Sequence, residues 1–416
     1  MEIDRCYEHL QPIDSFVQVK NETLPGFDNV YCIDNSVFIY PMSSHQLTLF
    51  LVSNMYPSAR LPRFGVFVRH FEERIRARGI SIPYKCVLTD TKHINKLKKA
   101  IKYLGFLTSI ITKGIKHRKS YHLIYLHYPV HTVLPVYILH LITGKKVILN
   151  FHGNDLMHSS FLKRLIKPYL LRLAKRSAAL VVPSNYFKSQ LVNILPINPD
   201  NVIVYPSSGV DTSLFKPFSQ NQKNETRRAL SIPPEVHLVG YISTIKPSKG
   251  WRTFVKAFET LINERNDSFA LMVGDGPYAE ELETFVQEKK LSQQLNIIKS
   301  VHHEQLVKYY NALDVMVFPT KGESLGLVGL EAMACGIPII ATDSTAPKDY
   351  VKHGQNGFLF EIGNEKELKD KILEFIELDT NTKRGMSKKA RQTAMRYDAS
   401  IVNDKMAREL KEILQP

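Results

Sequence analysis

Short apolar runs recur along this chain, separated by stretches in which apolar residues return every three or four positions. Such runs, rich in Val, Ile, Leu, Phe and Tyr and too short for helices, predict buried strands, and the stretches between them predict amphipathic helices. The strands expected on this basis are Leu47 to Ser53, Tyr84 to Leu88, His122 to Tyr128, Lys146 to Phe151, Ala179 to Val182 and Val202 to Tyr205. A second series comprises Val236 to Ile242, Phe269 to Val273, Leu295 to Ile298, Val315 to Phe318 and Ile337 to Ala341. Strand–helix alternation of this kind predicts an α/β protein with two Rossmann-like parallel-sheet domains. Two helices are marked by clear stripes: one from Val66 with Phe67, Phe71 and Ile75, and one after Gly250 with Trp251, Phe254, Val255, Phe258, Leu261 and Ile262.

The 416 residues exceed one ordinary core and fit two domains. Residues 1–45 fit neither series and read as an N-terminal extension of unclear role, with Met42 as an alternative start. Residues 46–210 form the first domain and the polar, proline-bearing interval 211–235 the connection. Residues 236–396 form the second domain, and the amphipathic tail 397–416 is expected to pack back on the first.

Charge is unevenly spread. Residues 1–210 carry 27 Lys and Arg against 12 Asp and Glu, whereas the remainder is balanced at 28 and 28. Within the basic half, 92–119 and 161–176 interleave Lys and Arg with Leu, Ile, Phe and Tyr, the composition of an interfacial helix on an anionic bilayer. A solvated helix with its other face in a core is the competing reading. No nucleic-acid reader motif is present, so nucleic acid is not the expected partner. The acidic start is the wrong charge for a secretory leader, and 121–143, though free of Lys, Arg, Asp and Glu, is broken by Pro129 and Pro135 and does not read as a membrane span. The four cysteines, at positions 6, 32, 86 and 335, lack ligand spacing, so neither a disulfide framework nor a zinc site is expected.

The candidate chemistry lies at strand ends. Between the expected strands ending at Phe318 and beginning at Ile337 stand Glu323 and Glu331. The first is on the loop after a strand's carboxyl end, where ligands bind in open α/β sheets, and the second is within the next helix. On one helix, positions eight apart diverge by about 80°, so the two carboxylates address different parts of a ligand rather than forming a pair. The amides of Ser324, Leu325, Gly326 and Leu327 are expected to form a helix N-terminus suited to a phosphate. Lys249 precedes a helix, opposing the helix dipole, which makes sense beside a bound anion. His152 and Asp155 follow a strand of the first domain and occupy its corresponding crevice.

Taken in order, Gly65, FHGND (151–155), VVPSNYFKSQL (181–191), SSGVDTSLF (207–215), KPSKG (246–250), VGDGP (273–277) and GESLGLVGLEAMACGIPIIAT (322–342) resemble the family 4 glycosyltransferases over residues 46–410. The resemblance implies a GT-B fold, with two domains facing a cleft, and a retaining transfer from a nucleotide-diphosphate sugar without a metal or other cofactor. It implies that Glu323 faces the transferred sugar and Glu331 binds the ribose hydroxyls. Lys249 and the 324–327 amides would hold the diphosphate, His152 would contact the sugar, and Gly65 would let the first loop approach the reaction centre. The chain departs from the family pattern at Thr244, where an arginine is common and Lys246 is a substitute, at Ser208 for asparagine, and at Ser324-Leu325 for glycine-phenylalanine. The basic segments add the expectation of a lipid-linked acceptor at the inner face of a cell membrane, as in exopolysaccharide or capsule assembly. A soluble acceptor and a non-catalytic, sugar-nucleotide-binding subunit remain the alternatives.

Overall fold

A computed structural model describes residues 27–33, 36–41, 46–62, 64–90, 94–153 and 161–414. Residues 1–47 and 48–416 are two compact units. In the first, residues that fitted neither alternating series form an antiparallel hairpin of Phe27–Ile33 (β1) and Ser36–Pro41 (β2), closed by pairing of Ile33 with Ser36.

The larger unit holds two six-stranded parallel sheets. The first contains Thr48–Ser53 (β3), Ser81–Val87 (β4), Leu123–His127 (β5), Lys146–Asn150 (β6), Ala179–Val182 (β7) and Val202–Val204 (β8), in the order β4-β3-β5-β6-β7-β8. The second contains His237–Ile242 (β9), Ser268–Val273 (β10), Leu295–Ile298 (β11), Val315–Phe318 (β12), Ile339–Thr342 (β13) and Gly357–Phe360 (β14), in the order β11-β10-β9-β12-β13-β14. Each sheet reverses its winding once, between β3 and β5 and between β9 and β12. At such points the helices leave on opposite faces and open a crevice beyond the strand ends. Central strands are buried on both faces, so β5, β7, β10, β12 and β13 are buried at every position.

Some segments follow the sequence reading and others depart from it. Residues 121–143 resolve into β5 and a short helix, Val133–Thr143, and no helix among the described residues is long and apolar enough to cross a membrane. The interval 211–235 is not a bare connection. It contains the helix Gln220–Ala229, opened by a capping box of Ser219 and Gln222. Buried Arg227 and half-buried Lys223 carry that helix onto Asp314, at 2.7 and 2.8 Å. Burial alone would raise the Asp314 carboxyl, but the two cations more than offset this and hold it below its usual range.

The last helix, Ala399–Glu412, touches the first sheet's side of the molecule. Fully buried Asn403 accepts from the Tyr205 hydroxyl at 2.6 Å and donates to the Ser208 carbonyl at 2.9 Å, while Arg78 pairs with Asp404 at 2.7 Å. Basic segments 92–119 and 161–176 contain the helices Lys96–Lys116 and Phe161–Arg176, which flank and both contact Val133–Thr143.

Candidate active site

Both winding reversals carry site residues. After β9 the chain makes a single 3-10 turn, Pro247–Lys249, and Gly250 opens the helix Trp251–Glu264. After β12, the loop 319–326 returns over that turn, with the Lys321 amide donating to Ser248 O at 2.8 Å. This brings Lys249 Nζ into direct contact with Glu323 Oε2, both side chains being more than four-fifths buried. Lys246 caps the same turn through its backbone, accepting from the Lys249 amide at 2.9 Å, but its side chain is not brought onto the Lys249–Glu323 pair.

The helix that follows starts later than the sequence pattern suggests. It spans Leu327–Ala334, because Gly326 turns through the left-handed region at φ 87°. A Cβ at Gly326 would stand 2.7 Å from the Phe318 ring and 2.9 Å from the Tyr350 hydroxyl, and that hydroxyl donates to Gly326 O at 3.0 Å. Thus Ser324 and Leu325 precede the helix. The Ser324 amide donates to Glu323 Oε1 at 3.2 Å, and Leu325 is sunk in the core at 2% exposure. The amides of the first helical turn begin at Leu327.

Glu331 faces elsewhere. Its carboxylate is buried and takes the Tyr310 hydroxyl at 2.9 Å on one oxygen and His303 Nε2 at 2.8 Å on the other. Burial, with Glu331 close by, pushes the Tyr310 phenol well up, so it stays a donor. The hydrogen bond to Glu331 raises His303. Neither partner was legible as such, since each precedes β12 and meets Glu331 only through the sheet crossover.

Across from this cluster, His152 and Gly153 follow β6. A Cβ at Gly153 would lie 2.8 Å from Ser324 Cβ, so the loop after β6 sits directly against the residue following Glu323. Ser184, which caps the helix Asn185–Ile194, also donates to Ser324 O at 2.6 Å, and the Tyr186 amide donates to Asp349 Oδ2 at 2.8 Å. These contacts close the two sheets' carboxyl ends over a shared crevice. Gly65, after β3, opens the helix Val66–Arg76 and packs its backbone against Met55 and Tyr56. Two residues on, the Phe67 ring packs on His152 at 4.5 Å, and Tyr128 lies nearly parallel to His152 at 4.9 Å. The protein packed around His152 lowers its imidazole to about 3, which keeps it neutral. Asp155 lies outside the described residues.

The site therefore joins Lys249, Glu323, Ser324 and the Gly153 backbone next to His152, with Glu331 on a separate wall. Among the described residues, no group of three or more His, Cys, Asp or Glu is placed to hold a metal ion.

A family model described as glycosyl transferases group 1 matches residues 222–393, and one described as Glycosyltransferase Family 4 matches residues 58–214. The chain is 30% identical over 202 residues to a D-inositol 3-phosphate glycosyltransferase of Corynebacterium urealyticum, covering 47% of each. It is 26% identical over 199 residues to the capsular polysaccharide biosynthesis glycosyltransferase CapM of Staphylococcus aureus, covering 47% of this chain and 49% of CapM. The chain thus spans about half the length of each of these two relatives. In fold it is similar to the crystal structure of Anabaena HepE in complex with UDP, with a TM-score of 0.71 at 19% identity over 88% of this chain and 100% of HepE. With one model matched in each half and the fold shared along most of its length, the chain belongs to the family 4 glycosyltransferases and has their GT-B architecture.

Proposed function

We propose that this chain is a retaining glycosyltransferase that moves a sugar from a nucleotide-diphosphate sugar to a lipid-linked saccharide, on an anionic membrane surface. The observation that carries the transfer reading is the contact of Lys249 with Glu323 at the β9/β12 reversal, facing His152 and Gly153 across the crevice. That HepE was crystallised with UDP supports a nucleotide donor here. In this reading the diphosphate takes over Lys249 and the amides opening Leu327–Ala334, which frees Glu323 to face the sugar. Neutral His152 then hydrogen-bonds a sugar hydroxyl, and Glu331 takes the ribose. Charge building on the leaving diphosphate is met by groups already in position, with no metal invoked. Residues 46–210 would hold the acceptor and 236–396 the donor. Glu323→Gln and Lys249→Ala are each expected to abolish transfer by the purified chain while leaving the thermal unfolding cooperative. Full activity in both would place the site elsewhere, and no turnover by the unmutated chain on any nucleotide sugar would favour a non-catalytic subunit.

The acceptor reading is supported by the helix Lys96–Lys116. Its first turns stand clear of the body, with Leu97, Ile101 and Leu104 exposed at 71, 62 and 64% along one stripe among Lys96, Lys98, Lys99 and Lys102. Its neighbour Val133–Thr143 adds exposed Leu134, Leu141 and Ile142. Apolar side chains set among lysines suit the boundary of an anionic bilayer. The purified chain is expected to float with vesicles containing anionic lipid at low salt, and the triple change Leu97→Ser, Ile101→Ser, Leu104→Ser should release it. No binding to such vesicles would leave a soluble acceptor.

A further inference from the structure

The first sheet's crevice holds a second histidine that the proposed reaction does not use. His127 ends β5, is 1% exposed, and lies beside Asn150, the last residue of β6, in the strand register. Its Nδ1 is 2.9 Å from His152 Nε2. The two rings are within 20° of parallel with centroids 5.2 Å apart, which is the geometry of an in-plane hydrogen bond rather than a stack. Phe71 meets the His127 ring edge-on at 4.9 Å, and Tyr125 lies at 5.0 Å. His127 Nε2 is buried without a hydrogen-bond partner.

Burial drives both imidazoles toward the neutral form, His127 well below its ordinary value. One proton therefore sits between two neutral rings, and its position fixes both tautomers. If His152 Nε2–H were the donor, His127 would have to carry its own proton on Nε2, as a buried donor with nothing to accept it. If His127 Nδ1–H is the donor, the partnerless Nε2 is a bare acceptor. Orphaned buried donors are the rarer of the two in folded proteins. The other polar neighbour, Asn150 Nδ2, is 3.4 Å from His127 Nδ1, beyond the usual range and well outside the 2.9 Å of the His152 contact, and it is anchored by donating one of its two protons to the Tyr125 hydroxyl at 3.0 Å.

We propose that His127 is a positioning residue whose Nδ1–H donates to His152 Nε2, fixing His152 in the tautomer that carries its proton on Nδ1. His152 is then held in one tautomer from a strand end. This rests on the reading of His152 as a sugar contact. A residue that orients a metal-binding histidine from behind is worth roughly 10- to 100-fold, and an effect of the same order is expected here.

The test uses the full chain labelled with 15N-histidine, with the His152 signals assigned by their loss in His152→Gln. Expected in the unmutated protein is His152 protonated at Nδ1 and bare at Nε2, unchanged between about pH 5 and 8, the span in which an ordinary imidazole would titrate. His127→Phe should convert His152 to a tautomer mixture and lower kcat by about 10- to 100-fold with little change in donor KM. His127→Asn, whose amide can donate from nearly the same place, should restore the tautomer and most of kcat. Overturning results are a proton on His152 Nε2 in the unmutated chain, or a His127→Phe variant with unaltered kcat. Equal losses in the Phe and Asn variants with the His152 tautomer unmoved would also overturn it, leaving His127 a packing role alone. If His127→Phe fails to fold, the unmutated spectrum and the Asn variant decide. Should His152→Gln itself transfer sugar normally, the sugar-contact reading fails while the tautomer measurement still judges this one.

Discussion

At Glu331 the carboxylate shares a proton-bearing neighbour with solvent: His303 binds it from an exposed position, and buried Tyr310 binds it from within. Because the folded-state value of His303 is raised above the 6.5 of a free imidazole, its contribution to stability is complete below that pH and is lost as pH rises through the folded value. Urea midpoints measured from pH 6 upward should therefore decline through this window in the unmutated chain and decline less in His303→Gln. An unchanged slope would mean that the bond does not persist in solution. The position of Glu331 in the apolar block was legible, since a carboxylate eight residues after another on a strand–helix unit is a pattern. Its partners were not, because Tyr310 and His303 reach it through packing that no spacing encodes. His127 escaped for a related reason: it reads as one polar position near the end of a strand, and only the register of β5 with β6 and the return of His152 give it a partner.

Among the elements, the turn Pro247–Lys249 is tightly constrained. Gly250 has φ 71°, and a Cβ there would stand 1.9 Å from Pro319 O, a backbone atom that cannot swing away. Gly250→Ala should cost more than about 1–2 kcal/mol, the left-handed penalty alone, and should raise the donor KM by displacing Lys249. Calorimetry with donor titration checks both, and an Ala variant matching the parent in Tm would contradict the packing described here. Long periodic segments such as Trp251–Glu264 were legible because one stripe of large apolar residues has only one helical solution. Gln220–Ala229 was missed because its sequence, QNQKNETRRA, has no such stripe, and its anchor is the buried guanidinium of Arg227. Strand β14, GFLF, was missed because it opens on a glycine and lacks the β-branched residues that marked equally short runs such as Ala179–Val182. The helix after Glu323 was placed early, since Leu325 continues the apolar pattern while Gly326 breaks the backbone.

For the whole molecule, order of strands and helices was enough to anticipate two parallel sheets, and the uneven charge was enough to mark the first half as the basic one. What the sequence could not supply is how the halves meet, which depends on a few residues far apart in the chain. The clasp across the crevice includes Ser184 on Ser324 O and the Tyr186 amide on Asp349. The first is worth only about 0.5–1.5 kcal/mol net and the second, made to a carboxylate, about 1.5–3 kcal/mol, so releasing both costs a few kcal/mol. On the proposed function, such a clasp has a kinetic meaning: once sugar had left the nucleotide, the spent diphosphate would escape only as the halves part, and parting drags two large lobes through solvent. Departure of the by-product rather than bond-making is then expected to limit the cycle. Turnover should fall in proportion to added sucrose viscosity, and Ser184→Ala, by loosening the clasp, should turn over faster in viscous buffer than the parent. Insensitivity to viscosity in both would assign the slow step to chemistry.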